Sequence, residues 1–387
     1  MTSIVVSGSM VTKLHNGGEP WVRLSWLRGL MKLGFDVYFV EQICAESCVD
    51  EAGNVTDFDS CVNRASFDRI CDAFGLSGHA ALVSGDGTRV HGMSLSELHD
   101  LAGDAALLIN ITGHLSLACL FQRFRLKIYI DEDPGFTQFW HATGNPAACL
   151  AGHDHFYTVG LNLGTPACSI PTCGIVWRTI RQPVVLDDWP VCGEGAFDRF
   201  TTVATWRSPY GSVEYDGKTF GPKAHAFRDF AELPELAPQQ FEIALDIHPD
   251  DRKGLDLLRR HGWRIVDPRV MAPDPPSFRH YIQTSGAEFS VAQAVYVDTN
   301  SGWFSDRTVR YLASGKPALV QDTGFSSHLP IGEGLLAFRS LEDAVAGAAQ
   351  IADGYDCHCI AARVVAEEYF DSDTVLGELI EDVGVAP

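Results

Sequence analysis

The segment 300–324 places charged and hydroxyl side chains at the start of a predicted helix, directly after a glycine-bearing turn. Residues 305–308 are Ser-Asp-Arg-Thr, and Arg307 and Arg310 lie three residues apart. Cations are disfavoured near the positive end of a helix dipole, whereas an anion is favoured there because the first N–H groups lack backbone partners. The segment therefore predicts a site for an anion such as phosphate. Ordinary capping by Ser305 or Asp306 explains the helix start equally well, so both interpretations stay open.

Acidic side chains and a histidine follow two further predicted strands. The run "AALLINITGH" ends in His114, and "LKIYIDEDPG" carries Asp131, Glu132 and Asp133 after its apolar part. Loops at the carboxyl ends of parallel strands are where open α/β sheets bind ligands. A carboxylate in such a loop is suited to take a proton from a substrate hydroxyl. The same acids could instead cap the helix predicted after Pro134.

The elements that must position these side chains alternate between strand and helix. The first strand is predicted in "SIVVSG", a polar loop with two adjacent glycines follows, and apolar residues then recur at helical spacing. The next strand, "FDVYFVEQI", is apolar nearly throughout, as in a parallel sheet covered on both faces. This βαβ pattern predicts a first Rossmann-like domain over residues 1–180.

A second α/β series follows a proline-rich connection over residues 171–190. Its predicted strands are "FTTVAT", "QFEIALDI", "WRIVDP", "AVYVDT" and "PALVQDT". The pattern predicts a second domain over residues 181–365 and a helical tail over residues 366–387 that returns to the first domain. The expected fold class is thus α/β, with two facing Rossmann-like parallel-sheet domains and a cleft between them. A dinucleotide dehydrogenase is disfavoured, because no complete Gly-x-Gly-x-x-Gly motif is followed by an acid about 20 residues on.

Composition narrows the class of protein and its partners. The chain of 387 residues carries 50 acidic and 29 basic residues, a net charge of −21 that repels nucleic acid. No apolar run reaches the roughly 18 residues that a membrane span needs, and the N-terminus lacks a signal-peptide pattern, so we expect a cytoplasmic protein. The eleven cysteines are scattered. Because Cys44 and Cys48 lack a second pair at zinc-site spacing, as do residues 357–359, we expect free thiols rather than a metal site.

With these residues in view, the sequence resembles the GT-B glycosyltransferases, in particular their retaining, family-four-like branch. The likeness rests on "SGWFSDR", "YLASGKP" and "QDTG" within the segment 300–324, and on the glycine pair that precedes "LGFDVYFVE". It is sharp over residues 4–41 and 285–325 and covers most of the remaining chain in outline. The resemblance implies a second domain that binds a nucleotide-sugar such as a UDP-sugar, a first domain that binds the acceptor, and neither a cofactor nor a bound metal.

The resemblance also implies which residues hold the donor. Its diphosphate and ribose are expected at the glycine pair, at the turn and helix start of the segment 300–324, and beside an arginine and a lysine that neutralise the leaving diphosphate. The expected donor-binding residues are Gly17, Gly18, Arg207, Lys223, Ser301, Gly302, Ser305, Asp306, Arg307 and Thr308. The alternative for Arg207 and Lys223 is a solvated surface loop.

Roles in catalysis and in nucleoside binding follow from the same resemblance. His114 is expected near the sugar and the β-phosphate, and Glu132 or Asp133 is expected to act as the acceptor-side base. The residues expected beside the nucleoside are His248, Val266 and Asp267. A partly buried histidine with a structural role is the alternative for His114.

One feature departs from the branch. Its usual pair of glutamates, eight positions apart, falls near Gly302 and Arg310, and neither residue is acidic. Ribose recognition must then come from other groups, for which Ser305, Asp306 and Asp322 are candidates.

The sequence therefore predicts a metal-independent glycosyltransferase that moves a sugar from a nucleoside-diphosphate sugar to a small-molecule acceptor. A GT-B nucleotide-sugar epimerase or phosphorylase is the first alternative, because a fold does not fix the chemistry. A non-catalytic nucleotide-sugar-binding protein is the second. A DNA-modifying glycosyltransferase is disfavoured by the net charge.

Overall fold

Two parallel sheets organise the chain in a computed structural model that describes residues 1–192, 197–207 and 210–387. The first sheet has the strand order β4-β3-β2-β1-β5-β6-β7-β8, and all its pairs are parallel except β3 with β4. Its strands are β1 (Ser3–Ser7), β2 (Asp36–Ile43), β3 (Ala80–Ser84), β4 (Val90–Gly92), β5 (Leu107–Ile111), β6 (Lys127–Asp131), β7 (His155–Thr158) and β8 (Trp177–Thr179).

The helices of the first half connect these strands as crossovers. They are α1 (Gly18–Lys32), α2 (Val62–Ala73), α3 (Leu95–Asp104), α4 (Ala118–Phe121) and α5 (Phe136–Ala142). Strands β1, β3 and β5 are buried almost throughout, because helices cover both faces of a parallel sheet. The carboxyl ends of β1, β5 and β6 therefore meet at one edge, which carries residues 8–17, His114 and Glu132.

The second sheet has the strand order β13-β12-β9-β14-β15-β16, and every pair in it is parallel. Its strands are β9 (Arg199–Thr205), β12 (Gln240–Asp246), β13 (Arg264–Val266), β14 (Ala287–Ser290), β15 (Ala318–Gln321) and β16 (Leu335–Phe338). An antiparallel hairpin, β10 (Val213–Tyr215) and β11 (Lys218–Phe220), follows β9.

The helices of the second half are mostly short. They are α6 (Lys223–Arg228), α7 (Leu233–Leu236), α8 (Arg252–Arg260), α9 (Pro268–Met271), α10 (Pro275–Gln283), α11 (Ala294–Asp298), α12 (Asp306–Ala313) and α13 (Leu341–Asp353). The prediction of a strand in "AVYVDT" is wrong, because that segment forms α11, and the strand lies earlier, at β14. Val295 and Tyr296 bury one side of this single helical turn, a pattern too short to distinguish helix from strand by periodicity.

The chain passes between the two sheets twice, and the two crossings lie side by side. The first follows β8, and the second follows α14 (Tyr355–Tyr369) and leads into α15 (Ser372–Asp382). Val184 donates its N–H to the carbonyl of Phe370 at 2.8 Å and accepts from Ser372 at 2.9 Å. Helix α15 packs on α1 at Gly29, where an added Cβ would lie 2.5 Å from Leu376. The division predicted after residue 365 lies within α14.

The hairpin β10–β11 reaches across to the first half of the chain. Phe139 of α5 stacks on Tyr215 with ring centroids 4.5 Å apart and on Phe220 at 5.3 Å. These rings share an apolar cluster with Val295 and Tyr296 of α11. The two halves are therefore joined by packed aromatic side chains as well as by the two crossings. None of the helices in the described ranges combines the length and apolar character needed to cross a membrane.

Candidate functional site

A cleft of ≈ 540 Å³ lies between the carboxyl edges of the two sheets. The first half contributes its β1–α1 loop, the start of α1 and the residues after β6. The second half contributes the ends of β9 and β12 and the starts of α6, α9 and α12. The charged and hydroxyl-bearing residues that line the cleft are Lys13, His15, Glu19, Asp133, Thr205, Tyr210, Lys223, Asp246, Arg269, Asp306 and Arg307.

Arg307 is fixed in this cleft by three contacts. Its Nε donates to Glu288 at 2.6 Å, its Nη1 to the carbonyl of Val203 at 2.7 Å, and its Nη2 to the hydroxyl of Ser290 at 2.8 Å. Glu288 is fully buried in β14, so its charge is compensated mainly by this guanidinium. The strand ends thus hold Arg307 in one orientation against the cleft.

Lys223 lies at the first position of α6 and lines the same cleft. Burial and the positive charge of Arg307 together lower its pKa to about 7, although Glu288 opposes the fall. Two cations therefore share one buried carboxylate. We call Lys223 and Arg307 the cation pair. An anion of two or more charges would relieve their repulsion and restore the ammonium form of Lys223.

Charged side chains at the start of α12 partly compensate one another. Asp306 lines the cleft and accepts a hydrogen bond from Arg310 at 2.5 Å. The Arg310 guanidinium also lies over the ring of Trp189, 5.9 Å from its centroid. Ser305 is the buried N-cap residue but makes no side-chain capping bond, and Thr308 is fully buried away from the cleft lining. Of the four residues 305–308, Asp306 and Arg307 reach the cleft.

The polar groups of the turn before α12 make contacts within the protein. They therefore do not face a phosphate in the way that was expected from the sequence. The N–H of Gly302 donates to Thr323 at 2.8 Å, and a Cβ there would lie 2.7 Å from the backbone of Asn162. Gly302 has φ 74°, so its glycine permits both this conformation and the close contact with the first half. Ser301 is fully buried and donates its hydroxyl to Tyr296 at 3.1 Å.

The glycine pair of the β1–α1 loop also serves packing between the halves. Gly17 donates its N–H to the carbonyl of Ala272 at 2.9 Å, so that amide is not free for a phosphate. A Cβ on Gly17 would lie 2.1 Å from the carbonyl of Asp274, and one on Gly18 would lie 2.9 Å from the ring of Phe278. Gly18 lines the cleft. The pair is small because the second half approaches here.

Arg207 does not join the cleft, contrary to the sequence-based expectation. Its side chain is 70% exposed and pairs with Asp251 at 2.7 Å. Asp251 also caps α8 through the N–H of Gly254. A nearby carboxylate at a helix start thus holds Arg207 at the surface. Arg307, the other arginine expected at the donor, does line the cleft.

The first half presents carboxylates around a single arginine. Arg23 of α1 lies beside Gly8, donates to Glu132 at 2.9 Å, and approaches Glu19 at 3.5 Å. Burial raises the pKa of Glu132 to about 7, although Arg23 opposes the rise. We call Glu19, Glu132 and Asp133 the acid cluster. Glu132 lies behind the cleft surface, whereas Glu19 and Asp133 line the cleft.

Asp133 is the expected catalytic acid that reaches the cleft. One carboxylate oxygen accepts a hydrogen bond from the hydroxyl of Tyr296 at 2.7 Å. Burial raises its pKa to about 6, and the neighbouring carboxylates add to the rise. The group is thus ionised at neutral pH, with an affinity for protons above that of an ordinary aspartate. Asp131, by contrast, is fully buried and is bound by Thr137, Gln138 and Thr158.

His114 lies behind the cleft lining, near Arg23. Burial lowers its pKa to about 4, and the charge of Arg23 adds to the fall, so the ring is neutral. Its Nε2 is buried and makes no hydrogen bond to the described residues. This arrangement does not bring the imidazole to the cleft surface.

The residues expected to bind the nucleoside lie at the outer end of the second sheet. His248 is 72% exposed, and its Nδ1 accepts from the N–H of Asp250 at 3.2 Å. Asp267 caps α9 and pairs with Arg269 at 3.0 Å. Val266 ends β13 directly before them. Arg269 lines the cleft, whereas His248, Val266 and Asp267 do not.

Arg23, Glu288 and Tyr210 have places at or behind the cleft that were not anticipated. Arg23 had a visible signal, since it lies at helical spacing among the apolar residues of α1. Glu288 had one too, as an acid inside a short strand. Tyr210 gave none; it lines the cleft and contacts the rings of Phe136 and Trp140.

Carboxylates and histidines do not assemble into a metal site in the described ranges. No group of three or more His, Cys, Asp or Glu side chains among those residues is arranged to hold a metal ion. The cysteines in this part of the chain are all free thiols.

The architecture is similar to that of several solved structures. Anabaena HepE in complex with UDP-glucose matches with a TM-score of 0.60 at 9% identity, covering 99% of this chain and 100% of that chain. Sucrose-phosphate synthase from Thermosynechococcus elongatus matches at 0.55 with 11% identity, covering 99% of each chain. An α-glucosyltransferase in complex with UDP-glucose and DNA containing an abasic site matches at 0.56 with 10% identity, covering 99% of each chain. The chain has a GT-B-like fold.

The likeness spans both halves of the chain. By sequence, no protein family model and no curated protein matches the chain.

Proposed function

We propose that the protein is a glycosyltransferase that moves a sugar from a nucleoside-diphosphate sugar, such as a UDP-sugar, to a small-molecule acceptor. The observation that carries this proposal is the cation pair in the cleft, whose lysine has a pKa lowered to about 7 by burial and by Arg307. A neutral ligand would not compensate two adjacent, partly desolvated cations. A diphosphate supplies the negative charge that compensates them.

The proposed chemistry uses the two sides of the cleft differently. The bond between the sugar C1 and the β-phosphate oxygen breaks, and a bond between C1 and the acceptor oxygen forms. Arg307 and Lys223 stabilise the charge that grows on the leaving diphosphate, because they are already oriented before the reaction begins. Asp133 takes the acceptor proton, since it lines the cleft and its pKa is raised to about 6. No step requires a metal or a cofactor.

The proposed donor lies with its nucleoside toward Arg269 and Asp246 and its sugar toward Asp133. This orientation follows from the origin of the lining residues, since Asp133 comes from the first half of the chain and Asp246 and Arg269 come from the second. Asp306 is the candidate for a ribose contact, because its carboxylate lines the cleft at the start of α12. The candidates for the outer wall of the nucleoside pocket are still Val266, Asp267 and His248.

The cytoplasmic location of the protein is still a prediction.

A small-molecule acceptor is favoured over DNA by charge. The DNA-bound α-glucosyltransferase shares the fold, but this chain has a net charge of −21. The acid cluster adds local negative charge on the acceptor side of the cleft. A polyanionic acceptor would be repelled there.

Isothermal titration with UDP, TDP, GDP and ADP tests the proposal. We expect one diphosphate to bind at micromolar to sub-millimolar concentration, with the same affinity after treatment with a chelator. Lys223→Ala should weaken that binding at least tenfold. Lys218→Ala is the matched control, because Lys218 is exposed on the hairpin five residues earlier and does not line the cleft.

No binding of any nucleoside diphosphate at millimolar concentration contradicts the proposal. Product analysis with the bound donor then separates transfer from epimerisation, since an epimerase changes the sugar without an acceptor. A protein that binds the donor but neither transfers nor alters its sugar belongs to the non-catalytic alternative.

A further inference from the structure

A second cavity of ≈ 250 Å³ lies beside the cleft and differs from it in chemistry. One wall is the last two turns of α2, and the opposite wall is the proline-rich segment 273–276 that begins α10. Its apolar lining includes Leu14, Ile70, Ala73, Phe74 and Pro276. Ala73 is exposed and Ile70 and Phe74 are half-buried, so these side chains present accessible apolar surface.

The cavity adjoins the cleft. Residues 13–16 of the β1–α1 loop line both spaces. A ligand in the cavity and a donor in the cleft therefore contact the same four residues, His15 among them. This shared lining sets the cavity apart from an isolated surface pocket.

The loop between the two spaces is fixed by buried hydrogen bonds. The carboxylate of Glu41 accepts from the N–H groups of Val11 at 3.0 Å and Thr12 at 2.9 Å. Asn63 of α2 donates to the carbonyl of Val11 at 2.7 Å, and Gly17 closes the far end on Ala272. The cavity is thus formed before a ligand enters, which lowers the ordering cost of binding.

The lining indicates what kind of ligand fits. A sugar buries many hydroxyl groups and needs a polar partner for each, whereas most of the residues that line this cavity are apolar. Two of its polar side chains bind each other, since Nη2 of Arg69 donates to the hydroxyl of Ser66 at 2.9 Å. A flat or alicyclic ring system of one or two rings suits such a space better than a carbohydrate does.

We propose that this cavity binds the apolar ring portion of the acceptor, with the acceptor's hydroxyl group directed past His15 into the cleft. The acceptor class is then a ring-bearing alcohol or phenol rather than another sugar. This inference rests on the proposed function for the reaction, but binding in the cavity does not depend on the donor.

Equilibrium dialysis without nucleotide tests the assignment with three probes: 4-methylumbelliferone, 2-naphthol and glucose. We expect saturable binding of at least one of the two aromatic probes and none of glucose. Ala73→Trp should fill the cavity from its exposed edge and weaken aromatic binding at least tenfold. Ala142→Trp is the matched control, because Ala142 is likewise an exposed alanine that ends a helix, and it does not line the cavity.

Circular dichroism and thermal denaturation show whether Ala73→Trp is folded, and its affinity for the nucleoside diphosphate keeps the two proposals separable. The inference is overturned if neither aromatic probe binds, or if Ala73→Trp binds the aromatic probes as well as the unmodified protein does. It is also overturned if glucose binds and Ala73→Trp weakens the binding of glucose. Aromatic binding that Ala73→Trp abolishes, without any nucleotide binding, supports the cavity assignment and contradicts the glycosyltransferase proposal instead.

Discussion

The two sides of the cleft carry charges of opposite sign. On the second-domain side, the cation pair is supported by one buried carboxylate, Glu288. On the first-domain side, the acid cluster surrounds one buried cation, Arg23. Each side thus carries an excess of one sign next to a single buried counter-charge.

This contrast shows how a strongly acidic chain can hold an anion. A net charge of −21 disfavours a diphosphate near most of the surface. The cation pair lies within the cleft, where nearby charges act through less water and therefore act more strongly. The acid cluster belongs to the first-domain side, which we propose binds the acceptor, and there it leaves a base within reach.

The largest expected effect comes from removing the ion pair between Arg307 and the buried Glu288. Arg307→Ala leaves Glu288 buried without its guanidinium, and we expect a loss of about 3–5 kcal/mol in the free energy of unfolding. Urea denaturation measures this loss. Adding Glu288→Gln to the variant should recover part of it, because the uncompensated charge is removed. Equal stability of the single variant and the unmodified protein would show that Glu288 has another partner.

The corresponding change on the other side should be smaller. Glu132→Gln removes one of the two carboxylates that form ion pairs with Arg23, while Glu19 remains at 3.5 Å. Because the native pKa of Glu132 is raised to about 7, ionisation of this carboxyl opposes folding as pH rises from about 5 to 7, whereas a glutamine does not titrate. Relative to the unmodified protein, Glu132→Gln should therefore gain about 2–3 kcal/mol in the free energy of unfolding between pH 5 and pH 8. Urea denaturation at the two pH values measures this gain, and a difference in stability that does not change with pH would contradict the raised pKa.

The cation pair also predicts proton uptake on binding. In the free protein the pKa of Lys223 is lowered to about 7, so the side chain is largely neutral at pH 8. A bound diphosphate raises that pKa, and up to one proton should be taken up at pH 8 but little at pH 6. Affinity should accordingly fall as pH rises above 7. Calorimetry in two buffers of different ionisation enthalpy measures the uptake, which Lys223→Met should abolish.

The smallest effect is expected at Arg207, the arginine that the sequence placed in the wrong position. Arg207→Ala should change nucleotide affinity less than twofold, because the side chain pairs with Asp251 outside the cleft. The change in stability should be at most about 1 kcal/mol, as for exposed ion pairs. A tenfold loss of nucleotide affinity would mean that Arg207 leaves Asp251 for the ligand.

The fold was largely accessible from the sequence because parallel strands are marked by long apolar runs. Strands β1, β2, β5, β6, β9 and β12 each coincide with such a run. The hairpin β10–β11 was missed, because its residues lie in a glycine-rich segment that resembles a ligand-binding loop. Its strand character depends on Phe139, more than 70 residues earlier in the chain.

The site was accessible only in part, since partners distant in sequence decide which way a side chain points. Arg307 and Lys223 were identified, and both line the cleft. Arg207 was not placed correctly, because its partner follows 44 positions later. The glycine pair was attributed to a ligand, whereas the contact that excludes a side chain at Gly17 comes from residues 272–274. No local pattern encodes such a contact.

The paired crossings at Val184 and Phe370 have a mechanical consequence. Two adjacent segments of chain, hydrogen-bonded to each other, join the two halves, and we expect them to serve as a hinge when the cleft opens. Lys13 and Asp246 come from different halves, both line the cleft, and form an ion pair at 3.3 Å. We therefore expect this pair to separate when the cleft opens. A spectroscopic measurement of the distance between these two residues tests this expectation.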